Sequence, residues 1–228
     1  MLDAVRLTRA CYQTNPKAII RTFRLLEKLL KRLGNKHLVL ELADLTIAAA
    51  QQAPHDLVDA QAHAQALICG RSWALQRLGD LPGARLAAKQ SLDRGEAIGW
   101  DRNTAFCQKC TGRLARLQAE QTKDDSNERI KLLVASKQLL TDAINKFSTM
   151  TEIGPHHPEV GDCYSLIART YLVAKEYNKA QSALQFKKPT GSFPQTAQKI
   201  TSICSSSPVT WTQPAATLKP QKHATTRH

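Results

Sequence analysis

Aromatic residues are scarce in this chain, 5% of 228, and runs of β-branched residues are few. Strands draw on both, so a β-sandwich or barrel is disfavoured. No stretch approaches 18 apolar residues free of charge, and Met1-Leu2-Asp3-Ala4-Val5-Arg6 offers no apolar core for a secretion signal. A soluble cytoplasmic protein without membrane association is expected. Glycine-rich phosphate loops are missing: neither Gly-x4-Gly-Lys-Ser/Thr nor Gly-x-Gly-x2-Gly occurs. Nucleotide hydrolysis therefore has no support within the chain. The six cysteines, Cys11, Cys69, Cys107, Cys110, Cys163 and Cys204, are too dispersed for a disulfide framework and are expected to be reduced. Cys107-x2-Cys110 lacks the second ligand pair that a structural zinc site needs, with only His156, His157 and Cys163 to supplement it. Neither a metal nor a cofactor is expected. A Cys-His nucleophile pair using Cys163 or Cys107 with His156 has no recognisable flanking sequence, so no enzyme is expected either. His37, His55 and His63 read as helix-start or polar-face residues that titrate in solvent.

Acids are outnumbered, 19 against 32 Lys and Arg, for a net charge of +13. From Tyr177 to His228 there is no acid, and seven bases run from Lys179 to Arg227. Beyond Pro189 the composition turns to Pro, Ser, Thr and Gln, which cannot offset the entropy of ordering. A disordered basic tail over 189–228 is expected, either a plain solvated segment or an arm that binds nucleic acid weakly and without sequence preference.

The 42% of hydrophobic residues recur upstream at helical spacing. Asn15-Pro16 reads as a cap and first helical residue, followed by a stripe of Ile19, Ile20, Phe23, Leu26, Leu29, Leu30 and Leu33 that ends at Gly34. Arg21, Arg24, Lys28, Lys31 and Arg32 lie largely off that stripe. Further helices are predicted over 36–52, 57–78, 82–96, 103–121, from about Asp125 to Ser148, from His157, and from Tyr177. Asp125 with Glu128 resembles a capping box. Eight helices in four hairpins, without a credible strand, make an all-α protein.

Two segments align. The first holds Ile68, Arg71, Ser72, Leu75, Gly79, Asp80, Leu81, Ala84 and Ala88; the second holds Tyr164, Ile167, Ala168, Tyr171, Lys175, Glu176, Tyr177, Ala180 and Leu184. Small residues at Ser72 or Ala168 let Ala84 or Ala180 approach within ridge-and-groove distance. Cys107, Cys110, Thr111, Leu114 and Leu117, with Ser136, Leu140, Ala143 and Ile144, form a degenerate copy lengthened between Gln121 and Asn127. This pattern resembles the tetratricopeptide repeat, in the larger variants found in kinesin light chains and in the sensor regions of bacterial signal-transduction NTPases. The resemblance covers about 64–92 and 157–187 well, and 103–150 weakly. It implies a right-handed α-solenoid of about four hairpins: a degenerate N-terminal hairpin over 1–56, TPR-like repeats over 57–188, then the tail. The first helices of such repeats would line a concave groove; a single helical bundle is the alternative architecture.

The resemblance further implies which residues face that groove: Cys69, Trp73, Gln76 and Arg77 from the first copy, and Asp162, Ser165 and Arg169 from the last. In 103–121, Arg116 sits on or beside this face, and Lys109 with Arg113 join it in one register. Trp73, Arg77, Lys109, Arg113, Arg116 and Arg169 are the candidate binding residues, since Arg pairs carboxylates bidentately and Trp supplies an apolar platform. The same cations at i, i+3, i+4 spacing also describe a solvated face. The expected function is a protein-binding scaffold that receives an acidic peptide or partner segment. A sensor or regulatory part of a larger signal-transduction protein is the alternative reading.

Overall fold

A computed structural model describes residues 10, 15–52, 57–124, 126–151 and 157–185. Among these residues the chain forms eight helices and no strand. They are α1 (Pro16–Arg32), α2 (Lys36–Gln52), α3, α4 (Leu81–Ala97), α5 (Asp101–Gln121), α6 (Asn127–Thr149), α7 (Pro158–Val173) and α8 (Tyr177–Gln185). Helix α3 runs as Leu57–Gln65, a π-helical stretch Ala66–Ser72, and Trp73–Leu78. The expected tail over 189–228 lies outside the described residues, as do His55, His156 and Asp125.

Local chemistry sets the helix starts. The Asn15 side chain accepts from Ala18 N–H at 3.1 Å, and Pro16 occupies a first-turn position where a missing N–H costs nothing. Asp80 accepts from Gly83 N–H at 2.9 Å to open α4, and Ser126 accepts from Arg129 N–H at 3.1 Å to open α6. Before α7, His157 Nδ1 accepts from Glu159 N–H at 3.2 Å. Helix α5 starts at Asp101, two residues ahead of the predicted Asn103.

Four helices end in one kind of turn. A left-handed residue follows each of α1, α3, α4 and α7, and the next N–H reaches back to a carbonyl five residues earlier. The pairs are Asn35 to Leu30, Asp80 to Leu75, Trp100 to Gly95 and Glu176 to Tyr171, at 2.8–3.0 Å. Each turn folds the chain straight back, so consecutive helices pack side by side.

Several separate clusters make up the core. Phe23, Leu30, Val39, Leu42 and Ile47 close α1 and α2 against Ala66, Leu67 and Ala74 of α3. Ile68, Ala84, Ala88, Cys107 and Leu114 join α3, α4 and α5. Leu140, Ile144, Phe147, Val160, Cys163, Ile167 and Ala183 join α6, α7 and α8. Ser72, Ala84, Ala168 and Ala180, the small residues of the aligned segments, are all buried. Between α6 and α7 the Ser136 and Thr170 hydroxyls meet at 3.0 Å, satisfying each other inside the core.

The π-helical stretch was not expected from the sequence. It accommodates an extra residue in the turn and re-phases the helix that follows. Gly70 sits within it, where a Cβ would stand 2.5 Å from the Ala43 Cβ and 2.9 Å from Phe23 Cε2. Only glycine lets α1 and α2 close on α3 at this point. His63 is half-buried on α3 rather than solvated. Burial, reinforced by Arg94, holds its imidazole below the ordinary range. Among the described residues no helix is long and apolar enough to cross a membrane.

Candidate functional site

Helix α5 carries Lys109, Cys110 and Arg113 along a face flanked by α3 on one side and α7 on the other. Two cavities open there. One of about 200 Å³ is bounded by Lys31, Cys69, Trp73, Gln76, Phe106 and the α5 trio; the other, of about 210 Å³, by the same trio with Asp162, Ser165, Leu166 and Arg169. The two adjoin along α5, where Lys109, Cys110 and Arg113 line both, and are taken together as a depression beside that helix.

Its electrostatics are lopsided. Arg113 Nη2 donates to the Gln76 amide oxygen at 2.6 Å, a neutral partner that leaves the charge uncompensated, and its Nε is buried with no partner. Among the described residues neither Arg113 nor Arg169 has a carboxylate within ion-pair distance. Lys109 is tied to Glu159 and lies 5.0 Å from the Phe106 ring centroid. Two cations lie over the Trp73 ring, Lys31 at 5.2 Å and Arg77 at 5.7 Å from its centroid.

Four of the six residues singled out from the sequence, Trp73, Lys109, Arg113 and Arg169, line the depression together. Arg77 is exposed, within 5.7 Å of the Trp73 ring centroid, and bounds neither cavity. Arg116 is 7% exposed and paired with Glu120, its Nε unmatched. Burial lowers its pKa from the ordinary value; Glu120 opposes that shift, and the charges of Arg169 and Arg113 add to it. It therefore lines neither cavity, its charge met by Glu120. Lys31 was missed, because it lies off the α1 stripe and arrives only through packing of α1 on α3. Its i+4 spacing from Glu27, with which it pairs, was the one local signal.

The thiols in this region are chemically quiet. Burial pushes Cys69 up to about 11 and Cys107 and Cys163 up to about 12, and it raises Cys110 against the opposing charges of Arg113 and Lys109. All four are free cysteines. Among the described residues no group of three or more His, Cys, Asp or Glu is placed to hold a metal ion.

A larger cavity, about 640 Å³, lies between the start of α5 and the end of α6, lined by Asp101, Arg102, Gln108, Asp142, Asn145 and Lys146 among others. Its charges are mixed, and Lys146 is already paired with Asp101 at 2.8 Å. It presents no convergent set for a charged ligand. Compared with models of known protein families and with curated proteins, the chain matches none.

Proposed function

We propose that this chain is a non-enzymatic interaction module that receives an acidic peptide segment in the depression along α3, α5 and α7. The observation that carries this reading is the pair Arg113 and Arg169, which line the same cavity and have no carboxylate within ion-pair distance among the described residues. A buried or half-buried guanidinium without a counter-charge gains from an incoming carboxylate by charge-assisted hydrogen bonding. Trp73, half-buried in the wall of the depression, supplies apolar surface against which an aliphatic or aromatic side chain of the same segment can rest.

The architecture we infer is a right-handed, TPR-like α-solenoid. Supporting it are the matching turns after α3 and α7, the buried small residues at aligned positions, and a core divided among successive helices. Titration calorimetry of the full chain with a Glu- and Asp-rich peptide carrying one aromatic residue tests the function. Arg113→Ala and Arg169→Ala should each weaken binding by about 1.5–3 kcal/mol, the range for hydrogen bonds to charged groups. Unchanged affinity in both would move any partner site out of this depression.

A further inference from the structure

Helix α1 and its C-cap carry the longest evenly spaced run of exposed large apolar side chains among the described helices. Leu25, Leu29 and Leu33 follow one another at i, i+4, i+8 and are 77%, 43% and 57% exposed. Ile19, Ile20, Phe23 and Leu30 of the same helix are buried, the last three in clusters with α2 and α3. The apolar stripe of α1 is thus wider than the part that α2 and α3 cover: Leu29 and Leu33, expected in the stripe, lie with Leu25 on its uncovered margin. At 1.5 Å per residue the free leucines form a ridge about 12 Å long.

Cations border this ridge along one flank. Arg21 lies one turn before Leu25, Lys28 lies between Leu25 and Arg32, and Arg32 lies one turn beyond Lys28, all exposed. The only acid in α1 is Glu27, which is buried and paired with Lys31 on the far side. Among the described residues Arg21, Lys28 and Arg32 have no carboxylate within ion-pair distance.

We infer that this face docks an acidic amphipathic helix of a partner protein, its apolar stripe on Leu25, Leu29 and Leu33 and its carboxylates on Arg21, Lys28 and Arg32. Charge excludes the nearer occupants. The fourteen residues before Asn15 hold Arg6 and Arg9 against a single Asp3, and the segment after Glu176 holds no acid at all. Neither of these segments has the complementary sign. A second copy would set one basic α1 against another. An anionic bilayer has the right sign but the wrong shape. The cations line one flank only, whereas leucines spaced by four make the ridge that fills the groove between the side-chain rows of a facing helix.

The test uses the full chain and a labelled helical peptide of about five turns, with a leucine stripe at i, i+4 spacing and Glu along one flank, followed by anisotropy. A peptide with Lys in place of Glu, and vesicles of mixed phosphatidylserine and phosphatidylcholine, are the other arms. The acidic helix should bind, and Leu29→Ser or Arg32→Glu should each weaken it about tenfold or more. Arg113→Ala should leave it unchanged, which separates this face from the depression on α5. As a second readout, a thiol introduced by Leu29→Cys, followed by peptide mass mapping, should alkylate rapidly in the free chain and slowly with the acidic helix bound. Any of four results would overturn the inference: no binding of the acidic helix, equal binding of the Lys helix, vesicle binding that Leu29→Ser abolishes, or slow alkylation in the free chain.

Discussion

Gly79 and Lys175 close the same kind of turn, at the ends of α3 and α7, both in the left-handed backbone region with φ of 91° and 60°. The hydrogen bonds match as well: Asp80 N–H to Leu75 O at 3.0 Å, and Glu176 N–H to Tyr171 O at 2.9 Å. One turn uses the residue that adopts this conformation freely, and the other forces it on a side chain with a Cβ.

Lys175→Gly should therefore stabilise the protein, by up to about 1 kcal/mol, while Gly79→Ala should destabilise it by a similar amount although nothing lies within 4 Å of the added methyl. Lys175 also approaches Asp124 at 3.6 Å, but that exposed pair contributes little. Urea unfolding of both variants checks the signs.

Three positions probe close helix approach. Ala168→Leu and Ala180→Leu place bulk where the native side chains are fully buried, and Gly70→Ala sets a methyl 2.5 Å from the Ala43 Cβ. Each should cost about 1–3 kcal/mol by overpacking. Thermal melts within a degree of wild type for all three would mean that the helices are not held this close.

Gln76 positions Arg113 in the depression, so the two should act together on acidic-peptide binding. Gln76→Ala should weaken binding by about 1 kcal/mol in the native background, the value of one hydrogen bond, and by nothing measurable in Arg113→Ala. A double-mutant cycle by calorimetry measures the coupling; additive losses would remove the positioning role.

Stability should fall at high pH through the buried thiols. Cys69, Cys107 and Cys163 are raised to about 11–12 in the folded chain, from 9.0 for a free thiol. Their contribution is full below pH 9 and is lost progressively as pH rises from 9 towards 12, because the unfolded chain releases these protons first. The corresponding triple Cys→Ala chain should lose less stability between pH 8 and 11 than wild type in urea titrations. Parallel curves would show that other groups govern the alkaline limb.

Several helix ends are legible in the sequence because they are written in two or three adjacent residues, whereas the start of α5 after Trp100 has no side-chain cap to announce it. Asn15-Pro16, Gly79-Asp80 and His157-Pro158 state a cap and a turn without reference to anything distant. The depression is legible only as far as helix phase can be carried along the chain. Trp73, Lys109, Arg113 and Arg169 follow from that phase, and Arg77 and Arg116 show where it stops. One residue beyond Gln76, Arg77 is exposed and lines neither cavity, and Arg116 turns inward to a buried position beside Glu120. Lys31 and the glycine contact at Gly70 depend on α1 and α2 meeting α3. No local pattern encodes such a meeting, and a π-helical stretch has no composition of its own to announce it.

The divided core has a consequence for how the molecule comes apart. The cluster that closes α1 and α2 on α3 shares no residue with the one that holds α6, α7 and α8 together. Opening at one end then removes no buried contact from the other, and damage stays near where it is done. Amide hydrogen exchange would register this as a gradient, with each end fraying on its own clock and the α5–α6 middle last to exchange.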